Sequence, residues 1–142
     1  MALPPVYPYL DASVSGGPGF FSYVELTNYL YGSTTNAITA HSGGGQTSAV
    51  PLTTMLNRIT VVAAGNDSVL LPPATPGLIV LVNNSDSADS LNVFPCSATQ
   101  GGVTGGDAIN ALSQNTAFAI VANKTALFAC FVLGTWNTIL TA

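Results

Sequence analysis

Charge is what this sequence has least of. Its 142 residues carry two cations, Arg58 and Lys124, and six acids, Asp11, Glu25, Asp67, Asp86, Asp89 and Asp107, giving a net charge of −4. A chain of this length usually holds roughly 35 charged residues. Two cations cannot neutralise a phosphate backbone, so nucleic acid is not an expected partner. The same scarcity argues against docking to an anionic membrane. Long apolar runs are missing too. The longest, Ala126 to Leu133, falls well short of the ~20 residues that a membrane helix needs. No Lys or Arg precedes Arg58, so a secretory leader with a basic start is not expected, and synthesis in a cytoplasm is.

Cysteine and histidine are equally sparse. Cys96 and Cys130 lie too far apart for a zinc pattern, and each sits in an apolar stretch. They read as small buried hydrophobes rather than as a disulfide. The one histidine, His41, precedes Ser42-Gly43-Gly44-Gly45, which is similar to the glycine-rich oxyanion loop of esterases, but no G-x-S-x-G elbow accompanies it. A phosphate loop needs a lysine after its glycines, and neither Gly43–Gly45 nor Gly101–Gly106 has one. Asp86 and Asp89 read as a polar turn before they read as a calcium site. Glu25 has no second acid nearby for glycosidase chemistry. The expectation is a protein without catalytic activity, metal or cofactor.

What replaces charge is neutral polarity: 12 Ser, 16 Thr, 11 Asn and 3 Gln. With a mean hydropathy of +0.47 and little net charge, the composition is not that of a disordered chain. A free monomer usually carries more charge for colloidal solubility. A weakly charged Ser/Thr/Asn surface suits a protein that works bound in an assembly.

The sequence divides near residue 57. Residues 1–57 hold all five tyrosines, seven of the twelve aromatics, five of the nine prolines and seven of the fourteen glycines. Ser15–Gly19 and Ser42–Gln46 break regular structure, and Phe20 to Tyr31 fits either a three-turn helix or an extended aromatic strand. The expectation for 1–57 is an extended arm. Its Tyr7, Tyr9, Phe20, Phe21, Tyr23, Tyr29 and Tyr31 are suited either to contact with a partner or to covering the protein's own sheet.

Residues 58–142 predict an all-β module, an antiparallel sandwich or barrel of about eight short strands. The strands are expected at Arg58–Ala64, Ser68–Leu71, Leu78–Val82, Ser90–Phe94, Ala108–Leu112, Thr116–Val121, Thr125–Leu133 and Thr135–Leu140, a spacing of roughly ten residues. Gly65-Asn66-Asp67 reads as a tight hairpin turn. Leu78 to Val82 is apolar at every position, so both faces of that strand are expected to be covered, one by the domain core and one by a neighbouring subunit.

The order of motifs over residues 65–136 then becomes familiar. Gly65-Asn66-Asp67-Ser68-Val69-Leu70-Leu71-Pro72 leads to Gly77-Leu78-Ile79-Val80-Leu81-Val82-Asn83-Asn84. Next come Leu91-Asn92-Val93-Phe94-Pro95, Gly106-Asp107-Ala108-Ile109-Asn110, Lys124-Thr125-Ala126-Leu127-Phe128 and Gly134-Thr135-Trp136. This resembles a β-module of tailed-bacteriophage virion proteins, above all small head decoration (cement) proteins and also parts of tail fibres. The segment from Cys96 to Gly105 departs from that pattern as an insertion. The resemblance implies a structural virion protein on the capsid exterior that cements major capsid protein subunits, with a homotrimeric module. Its alternative is a tail-fibre or tail-associated adhesin module that binds carbohydrate. The chain's length favours the head. Trp136 joins the arm aromatics as a candidate contact residue, placed in the core or at a subunit seam.

Overall fold

The computed structural model describes residues 32–141. Among them lie ten β-strands, one short 3-10 turn and no α-helix, so the all-β class read from the sequence holds. The strands are β1 (Thr34–Thr39), β2 (Val50–Pro51), β3 (Leu56–Val61), β4 (Ser68–Leu70) and β5 (Ile79–Asn84). They continue with β6 (Leu91–Phe94), β7 (Ala108–Ile109), β8 (Phe118–Ile120), β9 (Thr125–Val132) and β10 (Thr135–Leu140). Every strand expected after residue 57 has its counterpart, within a few residues at either end.

Two sheets form. The larger has the order β1-β3-β5-β9-β10-β7 and the smaller β2-β4-β6-β8. Through its first six strands the chain alternates between them, each strand crossing by a short corner to the other sheet. Strands of the same sheet therefore run the same way. β1, β3 and β5 pair in parallel, and so do β2, β4 and β6. This is solenoid-like winding. One coil is offset from the next by 19 residues at its shortest (Val50↔Val69) and by 25 at its longest (Leu56↔Leu81).

The antiparallel arrangement expected from the sequence appears only at the far end. There β8 pairs with β6, and β9 with both β5 and β10. The correction extends to Gly65-Asn66-Asp67. It is a corner between sheets, joining β3 to β4, and not a hairpin turn. Strand spacing alone does not distinguish the two windings, because a half-coil and a hairpin arm have the same length.

The boundary at residue 57 is also corrected. The chain divides into two units, Met1–Leu30 and Tyr31–Ala142. Residues 34–57 supply β1, β2 and the start of β3 to the two sheets. Their glycines, Gly43 to Gly45, mark a coil corner rather than an arm. Gly44, at φ +72°, sits where a Cβ would come 2.5 Å from the Asn66 carbonyl oxygen in the next coil, so coil stacking at this corner requires glycine. The expectation of an extended arm over residues 1–31 lies outside the described residues.

The core fills the space between the sheets. Ile59, Val82 and Phe128 from the larger sheet meet Val69, Leu91, Val93 and Ile120 from the smaller, and all are essentially inaccessible. Each such burial contributes ~1.5–3 kcal/mol. The Phe118 and Phe128 rings meet edge-to-face at 5.9 Å and 89°, the arrangement that their quadrupoles favour. β7 ends after two residues because Asn110 adopts φ +52°, a left-handed conformation that asparagine tolerates. That is why the strand expected to reach Leu112 stops at Ile109. The Cys96–Gly105 insertion belongs to the fold. Its Gln100 donates to the Gln46 carbonyl at 3.0 Å, while Gln46 donates to the Pro95 carbonyl at 2.7 Å.

Candidate functional site

Side chains alternate along β5 and along β9 as far as Phe131. In β5 and β9 the inward residues Val80, Val82, Ala126, Phe128 and Cys130 are buried, while Ile79, Leu81, Leu127, Ala129 and Phe131 face outward. The pairing register aligns the outward set across strands. Leu56 of β3, Leu81 of β5, Leu127 of β9 and Ile139 of β10 form one continuous apolar row. Ile79, Ala129 and Asn137 form the next row.

A bulge between Thr135 and Trp136 in the β9–β10 ladder leaves Phe131 without a direct partner. Phe131 then lies beside Ile79 and Ala129 in a shallow depression that also includes Leu78. The exposures are large for apolar residues: 73% at Phe131, 72% at Ile139, 65% at Val132 and 63% at Leu133.

The opposite end of this face is polar. Asn83 donates to the Thr125 hydroxyl at 2.9 Å. Arg58 donates to the Asn36 side-chain oxygen at 3.2 Å and to the Ser85 hydroxyl at 2.7 Å. The face thus grades along its strands from apolar at the β9–β10 hairpin to polar at the row of Arg58, Asn83 and Thr125.

The candidate residues from the sequence are placed differently. Tyr7, Tyr9, Phe20, Phe21, Tyr23, Tyr29 and Tyr31 lie outside the described residues. Trp136 is fully buried in the core between the sheets, opposite Cys130, so its role as a contact residue is corrected to that of a core anchor. It presents no ring face on which a sugar could stack. Its indole Nε1 is the one buried side-chain polar atom among the described residues without a hydrogen-bond partner. The expected covering of both faces of Leu78–Val82 is met on one side within the chain: Val80 and Val82 are buried, whereas Ile79 is 45% exposed.

The polar groups that sequence reading weighed for chemistry serve the backbone. His41 and Ser68 form a backbone bridge, with His41 N–H donating to the Ser68 carbonyl at 2.9 Å and Ser68 N–H returning to His41 at 3.0 Å. The buried Ser68 hydroxyl donates to the Gly45 carbonyl at 3.0 Å. Asp67 accepts the N–H groups of Ala63 and Gly43. Asp86 accepts from the N–H groups of Ala88 and Asp89, which hold its carboxyl below the usual value. Among the described residues, no three His, Cys, Asp or Glu side chains gather as metal ligands would.

The cysteines are buried free thiols, as their apolar surroundings predict. Burial, and secondarily the Asp107 charge, pushes Cys96 up to about 11. Burial likewise raises Cys130.

The outward residues of β9 and β10 were legible only in part. The run from Phe128 to Leu133 is apolar on both parities, so the sequence does not say which face the chain covers itself. No protein family, curated protein or solved structure matches this chain.

Proposed function

We propose that this protein is a structural component of a tailed-bacteriophage virion, without catalytic activity, that binds the outside of the assembled capsid and cements contacts between major capsid protein subunits. The observation that carries the reading is the largely uncharged, apolar outer face of the larger sheet. A chain with so few charges and so much exposed apolar surface suits permanent residence in an assembly. The motif order over residues 65–136, similar to that of head decoration proteins, supports the same placement.

In this reading the two facing sheets act as a two-layer β-sandwich module that associates as a homotrimer. The aromatics between Tyr7 and Tyr31 supply contacts to the major capsid protein. The protein is made in the bacterial cytoplasm and resides on the capsid exterior. Cementing is then binding linkage: a ligand that binds only the assembled lattice stabilises it by mass action, and several linked copies strengthen the hold.

Quantitative mass spectrometry of purified virions tests this, with copy number expressed relative to the major capsid protein and surface labelling used to mark exterior proteins. The expected result is a labelled protein at hundreds of copies. A few copies, or a protein absent from virions, would overturn the reading.

A further inference from the structure

We infer that the outer face of the larger sheet, centred on Phe131, Ile139, Leu127 and Leu81, is the seam at which a second copy of this chain packs. The inference deepens the proposed function by naming the surface for self-association, and it rests on that reading only for the statement that the protein works as an oligomer.

Area is the first argument. Phe131, Ile139 and Ile79, which stand on this face, range from 45% to 73% exposed, and ~300–600 Å² is about the largest apolar patch that a monomer usually leaves bare. The half-buried Leu81 and Leu127 lie in the same rows and enlarge the face. A stable interface buries ~800 Å² per partner, so the whole sheet face, its polar margin included, would make one side of such an interface.

Charge is the second argument. The chain is acidic overall, which opposes contact between copies wherever carboxylates meet. Of the acids among the described residues, Asp67 and Asp107 are buried, and Asp86 and Asp89 lie in the turn between β5 and β6, outside the rows that form the face. The only ionic group bordering those rows on β3 is Arg58, already held by Asn36 and Ser85. Two copies can therefore meet here without bringing like charges together. A strongly charged partner would find one ionic group here, Arg58 at the polar end. What the face offers is shape and apolar area, and an identical face offers the same in return.

Local construction points the same way. Alternation along β9 places Phe131 outward beside Ile79 and Ala129, and the β9–β10 bulge leaves it without a direct cross-strand partner. An aromatic side chain that its own core does not cover is the usual anchor of an interface.

Sedimentation velocity and light scattering on the purified full-length chain test the inference without any capsid present. The parent is expected to run at a multiple of its 14.4 kDa chain mass. Phe131→Asp and Ile139→Asp place a charge at highly exposed positions, so native far-UV circular dichroism is expected to persist while association weakens by about thirtyfold or more for each substitution. Val121→Asp, at an exposed apolar position at the end of β8 in the other sheet, is expected to leave the mass unchanged. A monomeric parent, or an Ile139→Asp protein that is folded and associates like the parent, would overturn the inference. Either result would leave the virion copy number untouched, so failure of the seam and failure of the virion assignment are read separately.

Discussion

Asp67 and Asp107 hold two corners of the fold by the same pair of hydrogen bonds. Each carboxylate accepts the N–H of the residue four positions upstream, Ala63 at 2.8 Å and Val103 at 3.0 Å. The second oxygen of each accepts an N–H from a different loop, Gly43 at 3.1 Å for Asp67 and Ala74 at 2.8 Å for Asp107. The main-chain carbonyls repeat the pattern, accepting from Asn92 and Asn115, both at 2.9 Å. Both side chains are at most 1% exposed. Each aspartate thus ties its own corner to another, in a protein with almost no other charge to use.

Replacing either carboxylate by its amide tests that role. Asp107→Asn or Asp67→Asn turns an –NH₂ toward one of two buried backbone donors, which costs about 1–3 kcal/mol for the group left unpaired. Chemical denaturation of each variant is expected to show a lower midpoint at unchanged slope. An unchanged midpoint would mean that these corners hold without the carboxylates.

Trp136 separates a core role from a contact role. Truncation to alanine is expected to cost ~3–5 kcal/mol, the usual range for a fully buried large aromatic. Trp136→Phe should cost distinctly less, because the indole N–H gives up no hydrogen bond. Thermal melts of the two variants check the order. If both melted like the parent, the anchor role would be lost.

The buried thiol gives the fold an alkaline limit. Cys96 has its folded value raised to about 11 from an ordinary 9.0, first by burial and then by the Asp107 charge. The thiolate is therefore favoured in the unfolded chain. The stability at stake is fully present below pH 9 and is lost as pH rises from there through about 11. Melting temperature should fall across that window in the parent and fall less in Cys96→Ala. Equal slopes in the two proteins would remove Cys96 as the cause. At neutral pH the native thiol should resist alkylating reagents that modify it after unfolding.

Much of the architecture was written in short runs of residues. Gly-x-Asp occurs at 65–67 and again at 105–107, and at both the aspartate accepts the N–H four residues upstream and another from a separate loop. The β-branched and apolar runs bounded by Gly, Pro and Asn located eight strands, because such residues suit a pleated, half-buried surface. The early coil was not legible, since Thr34 to Thr39 has little apolar content and β2 is two residues long. Both join the sheets because the coil that follows offers them backbone partners, a requirement of tertiary structure rather than of local preference. Asn110 was read as a strand residue, yet its left-handed backbone ends β7.

The sequence by itself determined the all-β class, the positions of most turns, the burial of both cysteines and the poverty of charge. It also marked Leu78 to Val82 as apolar at every position. Only the tertiary structure decided how the strands wind, that Trp136 lies inside, and that Phe131 and Ile139 lie outside. The physical reason is that alternation along a strand separates two faces but does not say which face meets the chain's own second sheet. When both faces are apolar, only the path of the corners and the pairing register make that choice.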